Sequence, residues 1–282
     1  MNIPGFCPDI PLDLEMAEVE TYRRQVILKG KAPWLQTPTP STPSTLEEAR
    51  ASLPPQDIWA LDIVIHPDEG KDVAQAIQER TAYAVSDGSY KQQRGTSAFL
   101  LECSNGEHGR VIGLNEIPGA PEDQSAYRSE LAGISGILAV VDYLCRLHYV
   151  TSGFIHCRLD GKQAMLNASG DHPLDPQQPS FDLLVDIRSK IKASPIDWQF
   201  SWVEGHQEER HGKEDFWGHL NDVCDSMAKI YWNQISLSRQ TRPNQRFGNE
   251  SWSVTIQREK LAKMPLRDLY DFTFGPKSKT YC

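Results

Sequence analysis

Between Thr81 and Ile117 the chain repeats one pattern three times, a short run of alternating apolar and small residues followed by a tight turn. Tyr83 and Val85 alternate with alanines, the period of a half-buried strand, and the run delivers Asp87 into Gly88-Ser89. A turn at Gln92–Gly95 leads to a second strand, Thr96–Cys103. Asn105-Gly106 is a hairpin signal, and 109–117 reads as a third strand. Strands joined by turns this short pair with their sequence neighbours, which predicts an antiparallel meander. Pro118-Gly119-Ala120-Pro121 ends it.

A long helix is expected over about 122–147, with Leu131, Ile134, Leu138, Val141 and Cys145 on one face. Gly133 and Gly136 would weaken an isolated helix and point to close packing against the sheet. Phe154–Leu159 then repeats the first arrangement, an apolar run, Asp160 and Gly161. Helices to Ala168 and over Phe181–Ile191, an alternating strand Ile196–Val203 and a last helix about Leu220–Trp232 follow. This order predicts an α/β fold, a mixed five-stranded sheet (antiparallel meander plus parallel strands) with helices on both faces.

The flanks read differently. Residues 1–30 form an N-terminal segment, amphipathic from about Leu12 to Leu28, where a helix is expected. Residues 31–55, rich in Pro and Thr, read as an extended linker, within which Thr45-Leu46-Glu47-Glu48 fits a capping box. Residues 56–80 are a short leading segment with a strand near Ile58–Ile65 and a helix over Asp68–Arg80. Residues 81–235 form the main domain and 236–282 a tail carrying 9 basic and 4 acidic side chains.

The net charge of -9 argues against holding a polyanion by broad attraction, though it is compatible with bound cations. Six scattered cysteines without a Cys-x-x-Cys pair suit an intracellular chain. No secretory leader and no run of about 18 apolar residues is present, so no membrane association is expected.

Four acids stand out: Asp87, Glu130, Asp160 and Asp225. Singly each has an ordinary reading: Asp87 caps its own turn, and Glu130 is a solvated side chain near a helix start. Carboxylates converging from four separate elements repel one another unless cations lie between them, and oxygen-only donors suit Mg²⁺ or Mn²⁺. Two such ions about 3.5–4 Å apart serve phosphodiester hydrolysis.

Ser86-Asp87-Gly88-Ser89, Tyr127-Arg128-Ser129-Glu130-Leu131, Leu159-Asp160-Gly161, Trp202-Val203-Glu204-Gly205-His206 and Asn221 through Ala228 resemble type 1 ribonuclease H, in order, across about 81–235. They look closest to the ribonuclease H domain of retroelement reverse transcriptases. That resemblance implies an RNase H-like fold and hydrolysis of the RNA strand of an RNA–DNA hybrid, with a reverse transcriptase domain or polyprotein as partner. It implies two Mg²⁺ ions, replaceable by Mn²⁺, on Asp87, Glu130, Asp160 and Asp225. His206 would assist proton transfer or product release, unless it is an ordinary loop histidine. Gly88, Ser89, Arg128, Lys162 and Asn221 would contact substrate.

The chain departs from the family in a longer Gln207–Leu220 stretch with Phe216, Trp217 and His219, whose aromatics are expected to pack against the core. Lys162 stands where many relatives have a neutral side chain, and no basic handle helix lies between Gly170 and Phe181. His206, His211, His219 and Cys224 fit no structural zinc spacing. A catalytically inactive nucleic-acid-binding or assembly domain of the same fold is the alternative. An integrase would show a late Asp-x35-Glu pair, which is absent.

Overall fold

The computed structural model describes residues 45–237 except Pro54, 104–108, Pro176, 208–211 and Glu214, together with 18–22, 25–29, Pro43, Arg242, 255–256, 259–260 and Ala262. Near the N-terminus, β1 (Glu18–Tyr22) and β2 (Gln25–Lys29) form an antiparallel hairpin in place of the helix expected there. Their β-branched residues, Val19, Thr21, Val26 and Ile27, favour strand over helix. A two-stranded pair near the C-terminus joins β9 (Thr255–Ile256) and β10 (Glu259–Lys260).

The main body is the α/β architecture expected, a mixed sheet with helices packed on it, with six strands where five were expected. In chain order it comprises α1 (Leu46–Ala51), β3 (Ile63–Ile65), α2 (Lys71–Gln78), β4 (Ala82–Lys91), β5 (Arg94–Glu102) and β6 (Val111–Glu116). These are followed by α3 (Ala126–Leu147), β7 (Phe154–Leu159), α4 (Lys162–Ser169), α5 (Phe181–Ala193), β8 (Asp197–Trp202) and α6 (Phe216–Ile235). The strand order is β3-β6-β5-β4-β7-β8. Strands β3 to β6 pair antiparallel, and β4-β7-β8 pair parallel.

The β4–β5 turn is tighter than the sequence suggests. Gln92 and Gln93 adopt φ of 51° and 58°, the left-handed pair of a two-residue hairpin. The strand therefore runs on to Lys91, and Asp87 lies inside β4, not at its end. Alternation along β4 directs Ala82 and Ala84 to a large core under α3, and Tyr83 and Val85 to a smaller one under α6.

The expected stripe of α3 is buried throughout, but so are Ala132, Ile137, Val140 and Leu144. The helix is central, because elements before Thr81 cover its other side. Pro55–Leu61 forms a 3₁₀ helix, so the strand expected near Ile58–Ile65 is confined to β3, and Trp59, Ala60 and Leu61 join the large core. Thr45 caps α1 as the capping box predicts, its Oγ1 accepting from the Glu48 amide at 3.1 Å. Lys190 of α5 pairs with Asp57 at 2.7 Å and Asp186 at 2.6 Å, tying the leading segment to the domain.

Arg128 at the start of α3 is fully buried, donating to both carboxylate oxygens of Asp182 (2.8 and 3.0 Å) and to the Pro118 carbonyl at 3.2 Å. Removing one member of such a pair leaves an uncompensated buried charge. Arg128→Met should therefore lower the unfolding free energy by about 3–5 kcal/mol, and adding Asp182→Leu should restore much of the loss. Urea unfolding of the two variants checks this. A single variant as stable as the parent would contradict the pairing.

Candidate active site

The acid cluster follows from sheet register. Strand β7 pairs parallel to β4 up to Ser86↔Leu159 and then stops, so Asp160 emerges beside Asp87. The start of α3 supplies Glu130. Gly88 permits its approach, since a Cβ there would lie 2.6 Å from the Ser129 backbone and 2.7 Å from the Glu130 nitrogen. Gly161 faces Glu130 from the other side, its would-be Cβ 3.0 Å from Glu130 Cγ. Ligand oxygens of Asp87, Glu130 and Asp160 all lie within 4.8 Å of one another.

Burial raises all three acids, and the charges of neighbouring carboxylates add to it at Asp87 and Glu130. Asp87 is pushed up to about 7 by burial, then by the charges of Asp160 and Asp225, against the pull of its 2.6 Å bond from the Gly88 amide. Glu130 is raised well above its ordinary range by burial and by Asp87 and Asp160. Asp160 is raised by burial, opposed by a hydrogen bond from Asn221 and by the charge of His206. Asn221 is fully buried and also donates to Asp87 Oδ2 at 3.4 Å, so one amide serves two carboxylates.

Asp225 stands apart from the other acids. On α6 its Oδ2 takes the Lys229 ammonium at 2.6 Å, an i,i+4 pair, and it is not within the three-acid group. It still acts on Asp87 through its charge. The Lys229 partner was readable from helical spacing and was missed.

The other expected site residues divide. His206, in a left-handed backbone at φ 53°, is placed near enough to act on Asp160. Gly88 and Ser89 lie half-buried against α3, and the Ser89 carbonyl accepts from Ser129 Oγ at 3.3 Å. Lys162 is exposed beside Asp160-Gly161. Arg128 is a correction: its guanidinium is buried and committed to Asp182 and Pro118, so it does not reach a substrate surface.

Of the aromatics expected to pack, Trp217 joins the small core, while Phe216 touches the Tyr83 ring edge and stays 52% exposed. Trp217 makes an edge contact with Tyr83 at 5.2 Å and lies under Arg158 at 4.6 Å. Cys224 is fully buried, its Sγ 3.6 Å from the Val85 carbonyl, and the metal-competent group found among the described residues contains neither it nor a histidine. His211 lies outside the described residues.

The donor set suits a hard divalent cation. It contains only carboxylate oxygens, held together despite repulsion, and Asp160 Oδ1 is buried without a hydrogen-bond partner. A cation would satisfy that oxygen and reverse the desolvation that raises the three acids.

No protein-family model matches the chain, and no curated protein does. Several solved structures are similar to it. One is the N-terminal RNase H domain of a Mycobacterium tuberculosis protein, solved as a maltose-binding-protein fusion (TM-score 0.37, 13% identity, 56% of this chain and 98% of that one). LC11-RNase H1 in complex with an RNA/DNA hybrid gives a TM-score of 0.40 at 10% identity, over 56% of this chain and 99% of that one. RNase H1 from Halobacterium salinarum gives 0.34 at 17%, over 54% and 98%.

The raised acids predict how stability varies with pH. Asp87 holds its proton to about 7 when folded, against an ordinary 3.8, so below 3.8 its contribution to stability is complete and it is lost as pH rises through 7. Metal-free protein should therefore lose stability across that window more steeply than Asp87→Asn, which should also melt higher at pH 8. Saturating divalent cation should flatten the parental slope. Identical thermal melts of parent and variant at every pH would refute the coupling.

Proposed function

We propose that the chain is a divalent-metal-dependent ribonuclease that cleaves the RNA strand of RNA–DNA hybrids. The observation that carries this reading is the convergence of Asp87, Glu130 and Asp160 from β4, α3 and the end of β7. The resemblance to ribonuclease H quoted on five motifs in order supports the substrate assignment. The likeness to retroelement reverse-transcriptase domains supports a retroelement origin and a reverse transcriptase domain as partner.

Asp87, Glu130 and Asp160, with Asp225 from α6, would hold Mg²⁺ (or Mn²⁺). When bound, the metal supplies an activated water and stabilises the leaving oxygen of the phosphodiester. Asn221 orients Asp87 and Asp160 by donating to both. His206 accepts or returns a proton at the rim of the cluster. Lys162 offers a cation to the substrate backbone, which an acidic site otherwise repels.

A second reading is a hybrid-binding domain without turnover, and the Asp225–Lys229 pair favours it by engaging the fourth acid. Incubation with labelled hybrid, single-stranded RNA and duplex DNA, with and without Mg²⁺, separates the two. Mg²⁺-dependent cutting of hybrid RNA is expected, and Asp87→Asn should abolish it. A variant cutting at the parental rate would sink the assignment. His206→Ala should slow turnover by about 10²–10⁴-fold, the range of general acid–base catalysis, while hybrid affinity holds. Parental turnover in that variant would remove the histidine from the mechanism.

A further inference from the structure

Trp202 ends β8 with 46% of its surface exposed, beside the acid cluster. Its indole Nε1–H donates to the Asp160 carbonyl at 3.0 Å, so the ring is fixed against the turn that carries the Asp160 carboxylate. The Lys162 ammonium lies 5.7 Å from the ring centroid. Of the cations described around the acids, Lys229 is held by Asp225 and His206 acts on Asp160. Lys162 instead lies over a π face.

A half-exposed indole that is already immobilised loses little entropy when something packs on it. An exposed cation–π contact is worth about 0.5–1 kcal/mol, whereas an ammonium–phosphate bond is charge-assisted and stronger. A phosphate arriving at this rim would draw Lys162 off the ring and uncover an apolar surface beside it. In a duplex the bases are paired, so the apolar group presented next to a phosphate is the sugar.

Resting on the reading above, we propose that Trp202 and Lys162 form one sugar–phosphate subsite, in which the indole packs a sugar ring of the bound strand and the ammonium pairs with its phosphate. The two halves have separable signatures. The apolar half is insensitive to salt, and the ionic half accounts for one released counterion.

Hybrid binding by anisotropy across a salt series tests this, with Asp87→Asn as host so that the RNA stays intact. Trp202→Leu should weaken affinity about ten-fold with the salt slope unchanged. Lys162→Gln should reduce that slope by about 1. Trp202→Phe, which keeps a ring, guards against misfolding, and host emission minus that of this variant should change when hybrid is added. Trp202→Leu binding within two-fold of the folded host, an unchanged slope in Lys162→Gln, or no change in that emission difference would each overturn the subsite. Because the readout is binding, a parental chain that fails to cut hybrid would overturn the ribonuclease reading alone.

Discussion

The approach of α3 to β4 is the constraint on which the rest of the arrangement depends. Gly133 packs on Ser86 and Gly136 on Phe99, with would-be Cβ distances of 2.7 and 2.5 Å. No side chain fits between the helix and the sheet at these points. Gly88 repeats the device from the strand side, and the helix start is brought down so that Glu130 reaches Asp87. Any residue that lifted α3 would move one carboxylate away from the other two. Packing therefore holds together three groups that electrostatics would separate, which is the condition for a cation to bind strongly there.

Much of this was legible in the residues. The glycines of α3 announced close packing before any contact was known, and the Asp-Gly pairs marked where β4 and β7 carry their acids. The four acids could be placed on elements, but their distances could not, because a carboxylate's partner depends on register and rotamer. Asp225 shows the limit: its position on the last helix was correct, yet its carboxylate engages Lys229. Arg128 shows another. In sequence it sits two residues from Glu130, while in space its side chain points into the protein to Asp182, 54 positions away.

The strand expected near Ile58–Ile65 survives as Ile63–Ile65, and its place at the edge of the main sheet was not legible for a related reason. Ile63–Ile65 is three residues long, and an edge strand that short has no period to read. It pairs with β6 just after Trp59 and Ala60 enter the core, a tertiary setting that the local sequence does not display. The 3₁₀ helix before it buries Trp59, Ala60 and Leu61 in the large core and sets Asp57 against Lys190, contacts that residue periodicity does not encode.

That Lys190 contact defines what can be inherited or excised as one piece. A lysine held between Asp57 and Asp186 ties the leading segment to α5, and losing Asp57 leaves it only the Asp186 partner. A proteolytic nick or a recombination breakpoint at Thr81 would remove Asp57 together with Trp59, opening the large core and stripping one acid from a lysine of α5. The smallest cooperative block therefore starts upstream of β4.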